Sequence, residues 1–332
     1  MTPLLEVRGL KTYFPVFGGV FNRKIAEVKA VQGLSFHISE GEILGLVGES
    51  GCGKSTTGRS LMMLNQPTEG QILFEGQDLR TLNKKHLRSL RKQIQMIFQD
   101  PFESLNPKHS VGQILSEPFL IHQPNMTYPA RRRAVLELLD RVGLNPDSYD
   151  KYPFEFSGGQ RQRIGIARAI SQKPKLVICD EPVSALDVSV QSQVINLLLD
   201  LQNDLGLSYL FIAHDLSVVR HVSDRVAVMY LGKIVEITDA DSIYLRPQHP
   251  YTKALIDAIP TPDPESEQKV VALEGDFPSP LNPPSGCQFR TRCPIATEEC
   301  ARAVPELKTV DHEKNHFVAC HKVNTRQAKV KI

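Results

Sequence analysis

The sequence predicts an α/β fold with a mostly parallel core sheet, and three observations carry that expectation. Short, predominantly apolar runs end in polar residues: Ile43 to Val47, "IQMIF" before Gln99, Leu176 to Cys179, and "LSYLFIA" before His214. Such runs read as strands buried on both faces, and ligands of open α/β sheets lie at the carboxyl ends of those strands. The first run breaks directly into the glycine-rich loop "GESGCGKS" and then into a helix. Finally, 332 residues at 41% hydrophobic content can bury a substantial core, with length favouring about two domains.

A formal charge of +2 is too small to make nucleic acid or lipid the main partner. No apolar stretch approaches the roughly 18 residues that span a bilayer. The opening "MTPLLEVRGL" lacks the basic and apolar segments of a signal peptide. The chain is therefore expected to be cytosolic, with any membrane it serves belonging to another subunit.

In chain order, residues 4 to 40 and 71 to 79 alternate in "LLEVRGL" and "QILFEGQDL", which predicts a small antiparallel layer. "PVFGGVFNRKIAEVKAV" is longer than a tight hairpin and is expected as a loop extension. Gly48 to Ser55 fits G-x-x-x-x-G-K-[ST] without departure. Glycines let the backbone amides turn inward around phosphate, and the following helix adds its positive N-terminal dipole. The candidate loop comprises Gly48, Glu49, Ser50, Gly51, Cys52, Gly53, Lys54, Ser55 and Thr56. Lys54 is expected to reach the β and γ phosphates, and the Ser55 hydroxyl to ligate magnesium. The alternative is an ordinary glycine turn.

Gln99 closes the strand "IQMIF" and is a candidate contact to magnesium or its water, the alternative being a plain loop residue. Residues about 102 to 155 read as helical, with Val135, Leu138 and Leu139 on one face and the Arg131 to Arg133 run solvated. "FSGGQRQRIGIAR" then places Ser157, Gly158, Gly159 and Gln160 at the head of a basic helix, where Arg161 and Arg163 read as solvated charges. "KLVICDEP" carries Asp180 and Glu181 at a buried strand end. Asp180 suits magnesium, often through water, and Glu181 suits polarising the water that attacks the γ phosphate. Cys179 reads as a small core residue. His214 ends a further strand, placing its ring where it could reach the γ phosphate; a structural histidine is the alternative.

Phosphate loop, glutamine, Ser-Gly-Gly-Gln, acidic strand, "SALD" and histidine, in that order, resemble the nucleotide-binding subunit of an ATP-binding cassette transporter across about residues 4 to 245. The resemblance implies a P-loop NTPase core, an antiparallel β layer and a helical subdomain at about residues 102 to 170. It also implies that Ser157 to Gln160 contact the ATP of a partner subunit, so that two chains build two composite sites. Asp187, in "SALD", then belongs to the loop coupling those sites, and Phe14, or failing it Tyr13, stacks on adenine unless it is plain sheet packing. Phe156 departs mildly from the leucine usual in the family.

Beyond "LRPQHPYTKALIDAIP" the composition turns proline-rich, as in "PTPDPE" and "FPSPLNPPSG", and predicts an irregular appendage separate from the nucleotide core. His249 to Thr252 and "PSPLNPPSGCQFRTRCP" resemble the C-terminal extension of oligopeptide and dipeptide importer ATPases, the F-type subunit above all. The expected domains are 1–250, the cassette, and 251–332, the extension. Cys287, Cys293, Cys300 and Cys320 fall in this tail without any C-x2-C pair, so neither a zinc ribbon nor a ferredoxin is signalled. The resemblance implies a [4Fe-4S] cluster on these four; zinc and free thiols are the alternatives.

The expected function is ATP binding and hydrolysis, with Mg2+, that energises a membrane importer of di- or oligopeptides. Implied partners are a distinct D-type ATPase forming a heterodimer, two membrane permease subunits and, indirectly, an extracytoplasmic peptide-binding protein. No nucleic acid is involved, and the chain is placed peripherally on the cytoplasmic face of the inner (plasma) membrane. Importers of nickel, glutathione or antimicrobial peptides use similar ATPases, and no motif here separates those cargoes. A soluble cassette of translation or repair, or a cassette that binds without turnover, are the rival classes. The first typically fuses two cassettes or inserts a coiled coil, and Glu181, His214 and the intact Ser-Gly-Gly-Gln argue against the second.

Overall fold

Alternation in the first strand sorts its side chains by face. Leu5 and Val7 are fully buried, whereas Arg8 is exposed, and a register shift between Val7 and Leu10 returns Leu10 to the buried face. The computed structural model describes residues 3–259, 275–310 and 315–326. They fall into two compact units: Met1–Ile38 with Ile43–Arg80 and Ala213–Ile332, and Ser39–Glu42 with Thr81–Ile212. The "PTPDPE" segment lies outside the described residues.

In the first unit, strand Leu5–Gly18 pairs antiparallel with Arg23–Ile38 on one side and Glu69–Phe74 on the other. The expected loop extension is absent: Phe14 pairs with Val28, and the ladder continues to Gly18 opposite Arg23. β-branched Val16, Ile25 and Val28 favour extended backbone, and the turn is confined to the tip, where Gly19 and Asn22 take φ of 75° and 46°. Phe17, Val20, Phe21 and Ile25 stay exposed on that hairpin.

Strand Ile43–Val47 is buried at every residue and runs parallel to Arg225–Tyr230. Arg225–Tyr230 turns back antiparallel into Lys233–Asp239. The tail is not wholly irregular, since Phe317–Val318 pairs antiparallel with Lys233–Asp239 and Lys308–Val310 pairs with Phe317–Val318. Proline is concentrated earlier, in residues 278–284, which leaves these later residues free to add to a sheet edge.

In the second unit, strands Ile94–Ile97, Leu176–Asp180 and Ser208–Ala213 pair in parallel, with Ile94 opposite Leu176 and Leu176 opposite Ser208. Helices Val111–His122, Tyr128–Arg141, Gly158–Ile170 and Val188–Leu205 belong to the same unit. Ser110 caps the first through a reciprocal pair of bonds with Gln113. Val135, Leu138 and Leu139 are buried along one face of Tyr128–Arg141, as their spacing predicts.

Candidate nucleotide-binding site

Strand Ile43–Val47 delivers the chain to Gly48, and helix Lys54–Leu61 begins at Lys54. Two glycines fix the loop between them. A Cβ on Gly48 would stand 2.2 Å from the Met229 carbonyl oxygen, and one on Gly53, at φ 108°, would stand 2.1 Å from that of Ala30. No side chain caps the helix at Gly53, so its first amides remain available to an anion. Lys54 is 4% exposed, and its ammonium donates to the carbonyls of Gly48 at 2.8 Å and Glu49 at 3.2 Å. Thus the positive charge lies folded back along the loop. Ser50 and Gly51 are exposed, Ser55 and Thr56 half-buried. Burial pushes the Cys52 thiol up to about 11, so Cys52 is a packing residue in its neutral form.

Glu49 is held twice by distant residues. Its N–H donates to the Tyr251 hydroxyl at 2.9 Å, and Arg292 Nη1 donates to both of its carboxylate oxygens at 3.1 and 2.9 Å. Neither residue stands out as a site candidate in the sequence. Tyr251 belongs to the His-Pro-Tyr-Thr run, and Arg292 lies between two of the tail cysteines, 243 positions from Glu49. No local spacing could have revealed the contact. In the same unit His214 is exposed just past strand Ser208–Ala213, and Phe14 is 38% exposed on strand Leu5–Gly18.

The second unit holds the acidic strand end. Asp180 is 1% exposed and closes strand Leu176–Asp180. Glu181 follows in left-handed backbone at φ 45°, its N–H bonded to the Ile212 carbonyl at 3.0 Å. A non-glycine residue there is strained by about 1 kcal/mol. Gln99 Nε2 donates to Glu181 Oε2 at 2.9 Å, tying the candidate magnesium contact to the candidate base.

Ser157 caps helix Gly158–Ile170: its hydroxyl accepts from the Gln160 N–H at 3.3 Å, and the Gln160 side-chain oxygen accepts from the Ser157 N–H at 3.0 Å. A Cβ on Gly159 would come within 2.4 Å of Val190 Cγ1, so the helix N-terminus packs where only glycine fits. Asp187 caps helix Val188–Leu205, and bonds from the Val190 N–H and the Ser189 hydroxyl hold its carboxyl below the usual range. Arg161 is not a solvated charge. It is 8% exposed, its Nε donates to the Pro153 carbonyl at 2.6 Å, and its guanidinium lies 3.6 Å from the Phe102 ring centroid. Arg163 likewise donates to the Val142 carbonyl at 2.7 Å.

In the tail, Cys287, Cys293 and Cys320 are half-buried and Cys300 is buried. Burial, reinforced by the neighbouring Cys300, Cys320 and Cys293, pushes the Cys287 thiol up to about 11, against a backbone hydrogen bond from Phe289. The thiols therefore sense one another. Yet among the described residues no group of three or more His, Cys, Asp or Glu is placed to hold a metal ion. Cluster or zinc ligation needs thiolates converging at about 2.3 Å from the metal. The side chains as placed do not fit the expected [4Fe-4S] cluster, and no chemistry is derived through one.

Residues 31–184 match the family described as "ABC transporter", and residues 235–300 match "Oligopeptide/dipeptide transporter, C-terminal region". The oligopeptide transport ATP-binding protein AppF of Bacillus subtilis is 56% identical over 322 residues, covering 96% of this chain and 97% of that protein. OppF of Salmonella typhimurium, named likewise, is 52% identical over 97% of this chain and 96% of its own. Among solved structures, the post-hydrolysis dimer of the ATP-binding cassette MJ0796 bound to ADP and Pi superposes with a TM-score of 0.64 at 25% identity, over 71% of this chain and 98% of that one. CbiO1 of Clostridium perfringens, part of the ABC transporter complex cbiONQ, gives 0.62 at 28% identity, over 74% and 92%. The chain belongs to the ATP-binding cassette transporter family, as an ATPase subunit of the kind that carries the oligopeptide/dipeptide transporter C-terminal region.

Proposed function

We propose that this ATPase energises a membrane importer of di- or oligopeptides. The observation that carries the reading is the union, in one chain, of the phosphate loop and the peptide-transporter C-terminal region, along almost the full length of AppF and OppF. Residues 1–250 act as the cassette, with a helical subdomain at about 102–170, and 251–332 as the extension.

In this reading the loop amides and Lys54 bind the β and γ phosphates, and Phe14 stacks on adenine. Lys54 releases the carbonyls of Gly48 and Glu49 to do so. Ser55, Asp180 and Gln99 are the residues to hold Mg2+, which offsets charge on the phosphates when bound. Glu181 accepts a proton from water as the water oxygen bonds to the γ phosphorus and the bond to the bridging oxygen breaks, releasing ADP and phosphate. His214 donates to the γ phosphate. Ser157, Gly158, Gly159 and Gln160 present a helix N-terminus to the nucleotide of a second, D-type subunit, and Asp187 couples the two sites. The tail thiols take no part.

Two permease subunits carry the cargo across, delivered by an extracytoplasmic binding protein, and the chain docks on them from the cytoplasmic face. Among the described residues no helix is long and apolar enough to cross a membrane. The test is uptake of labelled dipeptide and pentapeptide in cells lacking the chain, rescued by wild type or Glu181→Gln. Rescue by wild type alone supports the proposal, and the favoured peptide length identifies the cargo. Normal entry of both peptides without the chain overturns the peptide reading, and nickel uptake is then the next assay.

A further inference from the structure

An anion-binding loop that carries a carboxylate works against itself. Glu49 is the second residue of the phosphate loop, and its charge would repel a triphosphate and attract Lys54 away from it. Both effects depend on whether that charge is compensated.

The compensation comes from the tail. Arg292 Nη1 donates to both Glu49 carboxylate oxygens, and the Arg292 side chain is 8% exposed against 26% for Glu49, so water screens the pair poorly. Tyr251 takes the backbone of the same residue, its hydroxyl accepting the Glu49 N–H at 2.9 Å. The Tyr251 ring is fully buried, edge-on to Tyr230 at 4.7 Å and tilted against Phe289 at 5.4 Å. The same region of the tail reaches the adjoining strand, where Gln288 Nε2 donates to Gln32 Oε1 at 2.8 Å. One loop residue is thus gripped by side chain and by backbone from a single packed aromatic cluster.

We infer that Arg292 and Tyr251 are positioning residues for nucleotide: the docked tail neutralises Glu49 and fixes the start of the phosphate loop, so tail docking and ATP binding are linked. The linkage is reciprocal, and bound nucleotide tightens the tail. This rests on the proposed assignment of Gly48 to Thr56 as the nucleotide loop.

The experiment is a double-mutant cycle on the full chain, reading the Kd of magnesium ATPγS by calorimetry. Arg292→Ala is expected to weaken binding about tenfold in the wild-type background and less than twofold in the Glu49→Gln background. The tenfold loss is expected to shrink at 0.5 M salt, roughly threefold or less remaining. Tyr251→Phe, which removes only the hydroxyl, is expected to weaken binding about threefold. A purely structural role for Arg292 predicts equal losses in both Glu49 backgrounds, and that result overturns the inference, as does an unchanged Kd in Arg292→Ala. Should Arg292→Ala fail to fold, Arg292→Lys and Arg292→Gln give the same contrast: lysine keeps the affinity within about threefold, glutamine loses it, and equal affinity for the two overturns the inference. If the wild-type chain itself does not bind ATPγS, the loop assignment fails first and takes the inference with it.

Discussion

Gln99 and Glu181 are joined by a 2.9 Å hydrogen bond from amide nitrogen to carboxylate, with Glu181 held in left-handed backbone at φ 45°. A flexible glutamate would sample several rotamers; this one is fixed at its main chain by Ile212 and at its carboxylate by Gln99. On the proposed role of Glu181, the arrangement pre-organises it to point at one water.

With Glu181 as the proposed base, Glu181→Gln is expected to lower ATP turnover at least about 100-fold while nucleotide still binds, because only the proton acceptor is removed. Gln99→Ala keeps Glu181 but frees its carboxylate, and on the proposed role of Glu181 should lower kcat about three- to tenfold. Steady-state phosphate release measures both. A Gln99→Ala enzyme with unchanged kcat would show that the bond does not position Glu181.

Gly159→Ala should destabilise the fold by about 1–3 kcal/mol and abolish most turnover, since the new methyl would need the space of Val190 Cγ1, 2.4 Å away. Val190→Ala in the same chain opens that space, and thermal melting should recover in the double variant. Failure to recover would place the clash elsewhere.

Arg161→Ala should cost about 2–4 kcal/mol, from the lost stacking on Phe102 and the unpaired carbonyl of Pro153. Arg161→Lys should recover less than half, because an ammonium cannot both stack flat and reach that carbonyl. Chemical denaturation of the three chains gives the comparison.

What the sequence displayed was whatever repeats locally. Ile43–Val47 and Leu176–Asp180 are buried at every residue and so wrote themselves as unbroken apolar runs. The Ser157 and Gln160 capping box lies within one helical turn, and its S-x-x-Q spacing is equally visible. Features set by distant partners left no such trace. The left-handed Glu181 answers to Ile212, the burial of Arg161 to Phe102, and the grip on Glu49 to residues more than 200 positions away. The run from Pro15 to Val31 reads as a loop because it is longer than a tight hairpin, and length alone does not show that its two halves pair with each other.

Acid sensitivity should centre on the His-Pro-Tyr run. His249 is 1% exposed, and burial lowers its pKa from 6.5 to about 4 against a smaller opposing pull from Glu236. Its Nδ1 accepts the Tyr251 N–H at 3.1 Å, so a proton on that nitrogen also removes an acceptor. The unfolded chain therefore binds more protons than the folded one between pH 6.5 and 4. Stability from this group is fully present above about pH 6.5 and is lost as the pH falls towards 4, by up to about 3 kcal/mol. The second histidine of the cluster, His316, bonds Glu236 at 2.6 Å through Nε2, and Glu236 also accepts the N–H groups of Gln248 and His249. Removing His249 and removing Glu236 should differ in kind. His249→Asn, short enough to cap the same helix, should flatten the slope of stability against pH across this window at a modest cost near neutrality. Glu236→Ala should instead lower stability by about 3–5 kcal/mol already near neutral pH, since it removes the carboxylate that accepts from the buried His249 N–H and the half-buried Gln248 N–H and that bonds His316. Urea unfolding at half-unit pH steps separates the two, and an undiminished slope in His249→Asn would assign the acid sensitivity to another group.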